Sequence, residues 1–341
     1  MKPVKICAAV FSLAMLTTFC TEDEPTTPAL GAWVFYAPPY DGAWTRCTVG
    51  SDGAFWGLVQ LDESGRAAIA RFDGDSWSKT EFDPSVTEAL NAILVFGDGS
   101  GWACGGGGAL LEKRADEWIL HRPYNDVDYY YLGAAGPDSV WAIGQATVYP
   151  RGYKPVVLRY DGTRWSENDA PSGYTSFGPV VVKAGNGYLV GRRDAGDEIL
   201  RLSGTTWGGP TGFDRALRVH GLTAADGYAF AVGEERPKTV GRGAVYQVSP
   251  VVRDITPGLA GVRDYYYRAA YCTSEGELWV SAAPFEAGGG DYKLLYWDGD
   301  CWYEVPASNS TGNATRVFEF AFSPGGGWAV GGQNYARYRE P

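Results

Sequence analysis

Residues 140–144 read VWAIG, and residues 159–165 read RYDGTRW. The first run is short, apolar and closed by glycine, the composition of a buried strand. The second sets Asp-Gly between two β-prone stretches, and these residues tolerate the conformations that a two- or three-residue hairpin turn demands. Together they describe antiparallel strands joined by a tight turn.

The same pair recurs along the chain. The apolar signature returns as FWG (55–57), GWACG (101–105), GYLVG (187–191), YAFAVG (228–233), LWVS (278–281) and GWAVG (327–331). With Trp56, Trp102, Trp141, Tyr188, Phe230, Trp279 and Trp328 as markers, successive intervals are 46, 39, 47, 42, 49 and 49 residues. Their mean, about 45, is the period of a propeller blade. The turn signature returns as RFDGDSW (71–77), KRADEW (113–118), RLSGTTW (201–207) and YWDGDCW (296–302), and decays to YQVSPVV at 246–252. Each repeat predicts four strands, with the marker on the second and the turn between the third and fourth. The expected fold is all-β, a seven-bladed β-propeller of four-stranded blades.

The seventh copy stops after YARY (335–338), one strand short, while AWVFY (32–36) and YDGAW (40–44) stand before the first full copy. The N-terminal segment is therefore expected to supply an outer strand to the last blade. That closes the ring and removes an exposed sheet edge. Most of the 13 tryptophans fall on repeat positions, where they read as wedges between blades and not as ligand platforms.

Composition narrows function. The 341 residues carry 29 Lys+Arg against 40 Asp+Glu, a net charge of -11, so sequence-independent nucleic-acid binding is not expected. Two histidines, His121 and His220, exclude a His-rich metal site and leave little room for a Ser-His-Asp triad. Gly105–Gly108 lacks the following Lys-Ser/Thr of a phosphate loop. No metal and no cofactor is expected.

At the N-terminus, Lys2 and Lys5 precede an apolar run over 6–19, and Cys20 is followed by the polar, acidic TEDEPTTP. This resembles a bacterial lipoprotein precursor, which implies a signal peptide at 1–19, lipidation of Cys20, a linker at 20–31 and the propeller at 32–341. That family prefers a small residue before the cysteine, and Phe19 stands there, so ordinary secretion or a periplasmic location stays open. The WAIG and LRYDGTRW pattern resembles sialidase-repeat and photosystem-assembly-factor-like propellers, and more weakly tectonin-like ones. The chain lacks the regular Ser-x-Asp-x-Gly-x-x-Trp box of sialidases, and no set of catalytic arginines with a tyrosine nucleophile stands out.

Candidate site residues come from the long loops between second and third strands, since variable loops on a rigid scaffold carry function. They are Tyr149, Arg151, Tyr153, Lys154, Arg236, Arg242, Phe285 and Tyr292. Two tyrosine runs, DYYY at 128–131 and 264–267, open innermost strands on the same face. Strict alternation sends Tyr129 with Tyr131, and Tyr265 with Tyr267, to one side of their sheets. That face is expected to bind a glycan or an envelope protein without turnover, as a membrane-anchored monomer. A propeller glycoside hydrolase or lyase, and a protein–protein assembly factor, are the alternatives. In an exported chain, placement toward one end of the barrel predicts disulfides Cys272–Cys301 and Cys47–Cys104.

Overall fold

The strand and turn signals fold into seven sheets around a central channel. The computed structural model describes residues 30–37, 39–61, 66–87, 89–148, 152–169, 171–183, 186–211, 213, 217–235, 242–258, 265–285, 292–309, 317–323, 326–331 and 334–339. The signal-peptide and Cys20 readings lie outside these residues. Six sheets have four strands and one has five. The innermost strands of blades one to seven are Ala43–Val49, Leu90–Val95, Val127–Gly136, Ser176–Lys183, Leu217–Ala225, Tyr265–Cys272 and Glu319–Ser323. No helix among the described residues is long and apolar enough to cross a membrane.

Each signature has a physical job. The marker on the second strand pairs across the sheet with an arginine on the third: Trp56 with Arg71, Trp141 with Arg159, Trp328 with Arg337. The guanidinium carbons lie 5.4, 5.7 and 5.4 Å from the ring centroids, within cation–π range. In the turn, Asp161 accepts backbone N–H bonds from Thr163 and Arg164, both at 3.0 Å, and Gly162 takes φ +91°. Asp73 and Asp298 repeat the arrangement. The signature is thus one cross-strand pair and one self-capped turn.

The core is divided among the seven interfaces between neighbouring blades. Blade one meets blade seven through Trp44, Phe55 and Trp328, for example, and blade two meets blade three through Trp102, Tyr129 and Leu158. Large rings fill wedges that widen away from the channel.

Closure follows the expectation, with one refinement. Ala32–Tyr36 pairs antiparallel with Asn334–Arg339, Trp33 opposite Tyr338. Trp33 is fully buried against Trp279, Phe320 and Tyr338, with centroids 5.8, 5.5 and 5.5 Å away. The YDGAW segment does not join that strand: Trp44 lies in the innermost strand of blade one. Ala307–Asn309 adds a fifth strand, parallel to the closing one.

The disulfide expectation is wrong. Cys47, Cys104 and Cys272 are free, buried thiols, so neither Cys272–Cys301 nor Cys47–Cys104 forms. For Cys272 and Cys301 the position along the barrel axis was read correctly, but not the side of the sheet; Cys104, opposite Ala92 beside the blade-two bulge, lies toward the long-loop face instead. Cys272 points into the interface of blades five and six, whereas Cys301 belongs to that of blades six and seven. Cys47 packs toward blade seven and Cys104 toward blade three, with the sheets of blades one and two between them.

Candidate functional site

The channel owes its lining to a fault repeated around the ring. In blades one to six the innermost strand slips register near its start, between Trp44/Arg46, Leu90/Ala92, Tyr129/Tyr131, Phe177/Val180, Val219/Gly221 and Tyr267/Ala270. Such bulges insert one extra residue and re-aim side chains. The residue before each bulge is buried: Trp44, Leu90, Tyr129, Phe177, Val219 and Tyr267. Residues at or just after it, including Arg46, Tyr131, His220 and Arg268, line the channel.

The glycine closing the WAVG signature permits this. Gly105, Gly144 and Gly233 lie opposite Leu90, Tyr129 and Val219. A Cβ on any of them would fall inside 3.0 Å of a backbone carbonyl oxygen on the neighbouring strand, that of Ala89, Asp128 or Arg218. Without a side chain the bulged strand can approach.

The resulting cavity has a volume of about 580 Å³. Among the described residues its charged lining is four cations, Arg46, Lys183, Arg192 and Arg268, against the single carboxylate of Glu319, with His220 also in the wall. Arg46 Nε lies 3.5 Å from Glu319 Oε2. Burial raises the Glu319 pKa, and Arg46 pulls it back. Blade four offers glycine at its bulge, and the Arg192 guanidinium from the second strand lies over it, Nε and Nη2 both 3.1 Å from where a Gly178 Cβ would stand. Arg268 stacks 4.5 Å above the Phe318 ring. His220 Nε2 is 3.8 Å from Glu234 Oε1, and its ring meets Tyr266, which meets Phe285 in turn.

The sequence-derived candidates divide sharply. Tyr129, Tyr265 and Tyr267 are buried, at 0%, 6% and 1% exposure, and fill wedges between blades. The bulge breaks the alternation, so Tyr129 packs inward while Tyr131 reaches the channel. Lys154 is held by Glu167 at 2.9 Å, and Arg242 lies across the sheet from Glu235. Phe285 packs on Tyr266, and Tyr292 is half-buried before the third strand of blade six. Tyr149, Arg151 and Arg236 lie outside the described residues. Tyr153 is 70% exposed.

Tyr153 belongs to a cluster the sequence did not single out. Among the described residues the exposed aromatic side chains are Tyr124, Tyr130 and Tyr153, and exposed Val148 joins them. All four sit where blade three meets the long-loop face: the crossing into the blade, the bulge, the end of the second strand and the start of the third. Burial, then the neighbouring Asp128 and Tyr153, raise the Tyr130 pKa.

The sequence also missed the channel arginines. Their signal was positional, a cation one or two residues after a buried aromatic, as in Trp44-Thr45-Arg46 and Tyr267-Arg268.

The fold and this lining define a seven-bladed propeller with a cationic channel and an aromatic rim. No protein-family model matches the chain, and the comparison with curated proteins finds no relative. Among solved structures, YCF48 from Cyanidioschyzon merolae matches at 12% identity over 90% of this chain and 98% of its own, with a TM-score of 0.61. A structure titled YCF48 bound to D1 peptide matches at 14% over 91% and 99%, with a TM-score of 0.42. An acylaminoacyl peptidase from Pyrococcus horikoshii matches at 10% identity over 88% of this chain, which spans about half of that enzyme (52%), with a TM-score of 0.60. At these identities the likeness is one of fold.

Proposed function

We propose that this chain is an exported propeller that binds a protein segment on its long-loop face, without turnover, as an assembly or scaffold factor. The observation that carries the reading is the blade-three rim. Tyrosines supply large contact area at low entropy cost and dominate interface hot spots. Three of them, with Val148, stand exposed at the same corner of blade three, whereas the other described aromatics are buried or half-buried. Among the described residues the channel lining carries one carboxylate, Glu319, beside four cations, a lining suited to holding an anionic group. Export rests on the Lys2, Lys5 and 6–19 pattern, and the anchor on Cys20.

A photo-cross-linking residue placed at 153 should give a discrete protein adduct in the native host. The same residue at 251, which is exposed on the opposite, tight-turn face, should not. Equal labelling from both positions, or none from 153, removes the rim as a docking site. Sugar rings also stack on tyrosines, so a glycan array with the 25–341 fragment accompanies the experiment. Reproducible glycan binding that Tyr153→Ser abolishes would move the ligand to that class.

A further inference from the structure

We infer that the central channel is a second binding site, specific for a small, multiply charged oxyanion, and that it works independently of the rim. Charge is the first argument. The chain as a whole is acidic, at -11, yet the channel wall sets four cations against one carboxylate. Among the described residues, only Arg46 of the four has its charge answered, by Glu319. Arg192, Arg268 and Lys183 make no ion pair among the described residues, although acidic side chains are plentiful elsewhere.

Preorganisation is the second. Arg268 is held flat on Phe318, and Arg192 occupies the space that Gly178 leaves open. Arg192 and Arg268 come from blades four and six and stand toward the long-loop end of the channel, Arg192 across the sheet from Ser176 at the start of its innermost strand and Arg268 within the blade-six bulge. Guanidinium groups fixed in this way present paired N–H donors to carboxylate or phosphate oxygens. Size is the third: about 580 Å³ lies within the range of small-molecule sites and is too narrow for a folded domain. The shared chemistry is a cluster of anionic oxygens, carboxylate or phosphoryl, on a compact body.

Titration calorimetry on the intact protein would use citrate as the carboxylate probe and pyrophosphate as the phosphoryl probe, with glucose and spermidine as neutral and cationic controls. At least one anion should bind with a Kd below about 1 mM, and the controls should not. Each charged hydrogen bond removed should weaken binding about tenfold or more, so R192Q/R268Q should lose about a hundredfold. Gly178→Ala, which keeps every charge but crowds the Arg192 guanidinium, should also weaken it. Arg268→Gln alone alters one half-buried side chain, should weaken binding about tenfold, and serves if the double variant fails to fold. Failure of both anions to bind the folded protein below about 1 mM, or unchanged affinity in the charge variants, overturns the proposal. Rim cross-linking at 153 should persist in R192Q/R268Q.

Discussion

Gly233→Ala tests whether the signature glycine exists to let a bulged strand come close. Its backbone needs no left-handed conformation, so the effect is one of space alone. A Cβ there would lie inside 3.0 Å of the Arg218 carbonyl oxygen, 2.9 Å from its carbon and 3.1 Å from the Val219 Cα. All three atoms are backbone, so no flexible side chain can swing away. The strand must retreat, and Val219 N–H donates to the buried Asp197 carboxylate at 2.9 Å, a bond between blades four and five that retreat would stretch. Overpacking ordinarily costs about 1–3 kcal/mol, and the strained bond places this change at the upper end, about 3 kcal/mol. Gly209→Ala is the control, since nothing lies within 4 Å of its Cβ and the change should fall within about 0.5 kcal/mol. Urea melts read the difference as a shift in midpoint at constant slope. Blades one and six carry Val59 and Ala282 at this place, opposite Trp44 and Tyr267, so the reasoning concerns close approach and not a rule of the fold. Equal midpoints for the two variants would refute it.

Trp33→Ala should cost about 3–5 kcal/mol and make the ring open before the blades melt, seen as early proteolysis within 30–37. The buried thiols Cys47, Cys104 and Cys272 should react with a disulfide reagent at pH 8 only in denaturant, because burial raises all three pKa values, that of Cys272 to about 11. Turn hydrogen bonds lower the pKa values of Asp73, Asp98 and Asp161, so they stabilise the fold above the ordinary aspartate value and cease to as pH falls through the lowered ones. Asp161→Asn should flatten part of the acid limb of a stability–pH curve. Tyr267→Ala should lower the melting temperature sharply, whereas Tyr153→Ser should leave it unchanged.

The fold was legible because a propeller writes its rule seven times. Trp141, Arg159, Asp161 and Gly162 each have one local task, and each recurs at a spacing that periodicity can detect. Closure was legible for the same reason, as a missing strand in a counted series. The tyrosine runs misled because alternation assumes an unbroken ladder. One extra residue at Tyr130 sends Tyr129 into the core, and no local composition distinguishes a bulged strand from a straight one. The cysteines misled in a related way. Height along the barrel can be read from turn positions, but the face of a sheet depends on register, and Cys272 and Cys301 lie on opposite faces of one blade.

What the repeat does not repeat is where function can reside. Before each bulge the ring demands a buried side chain, which yields Trp44, Tyr129 and Tyr267 alike. At the bulge itself the fold demands only an extra residue, so that position is free to vary, and it holds Thr45, Asn91, Tyr130, Gly178, His220 and Arg268. Packing cannot account for so mixed a set, because a shared structural role would select a shared residue type. The scaffold thus fixes the backbone of the channel mouth and leaves its chemistry to individual blades. Blade three spends its freedom on an exposed tyrosine at the rim and blade six on Arg268, which lines the channel with Arg46 just after the blade-one bulge and Arg192 from the second strand of blade four.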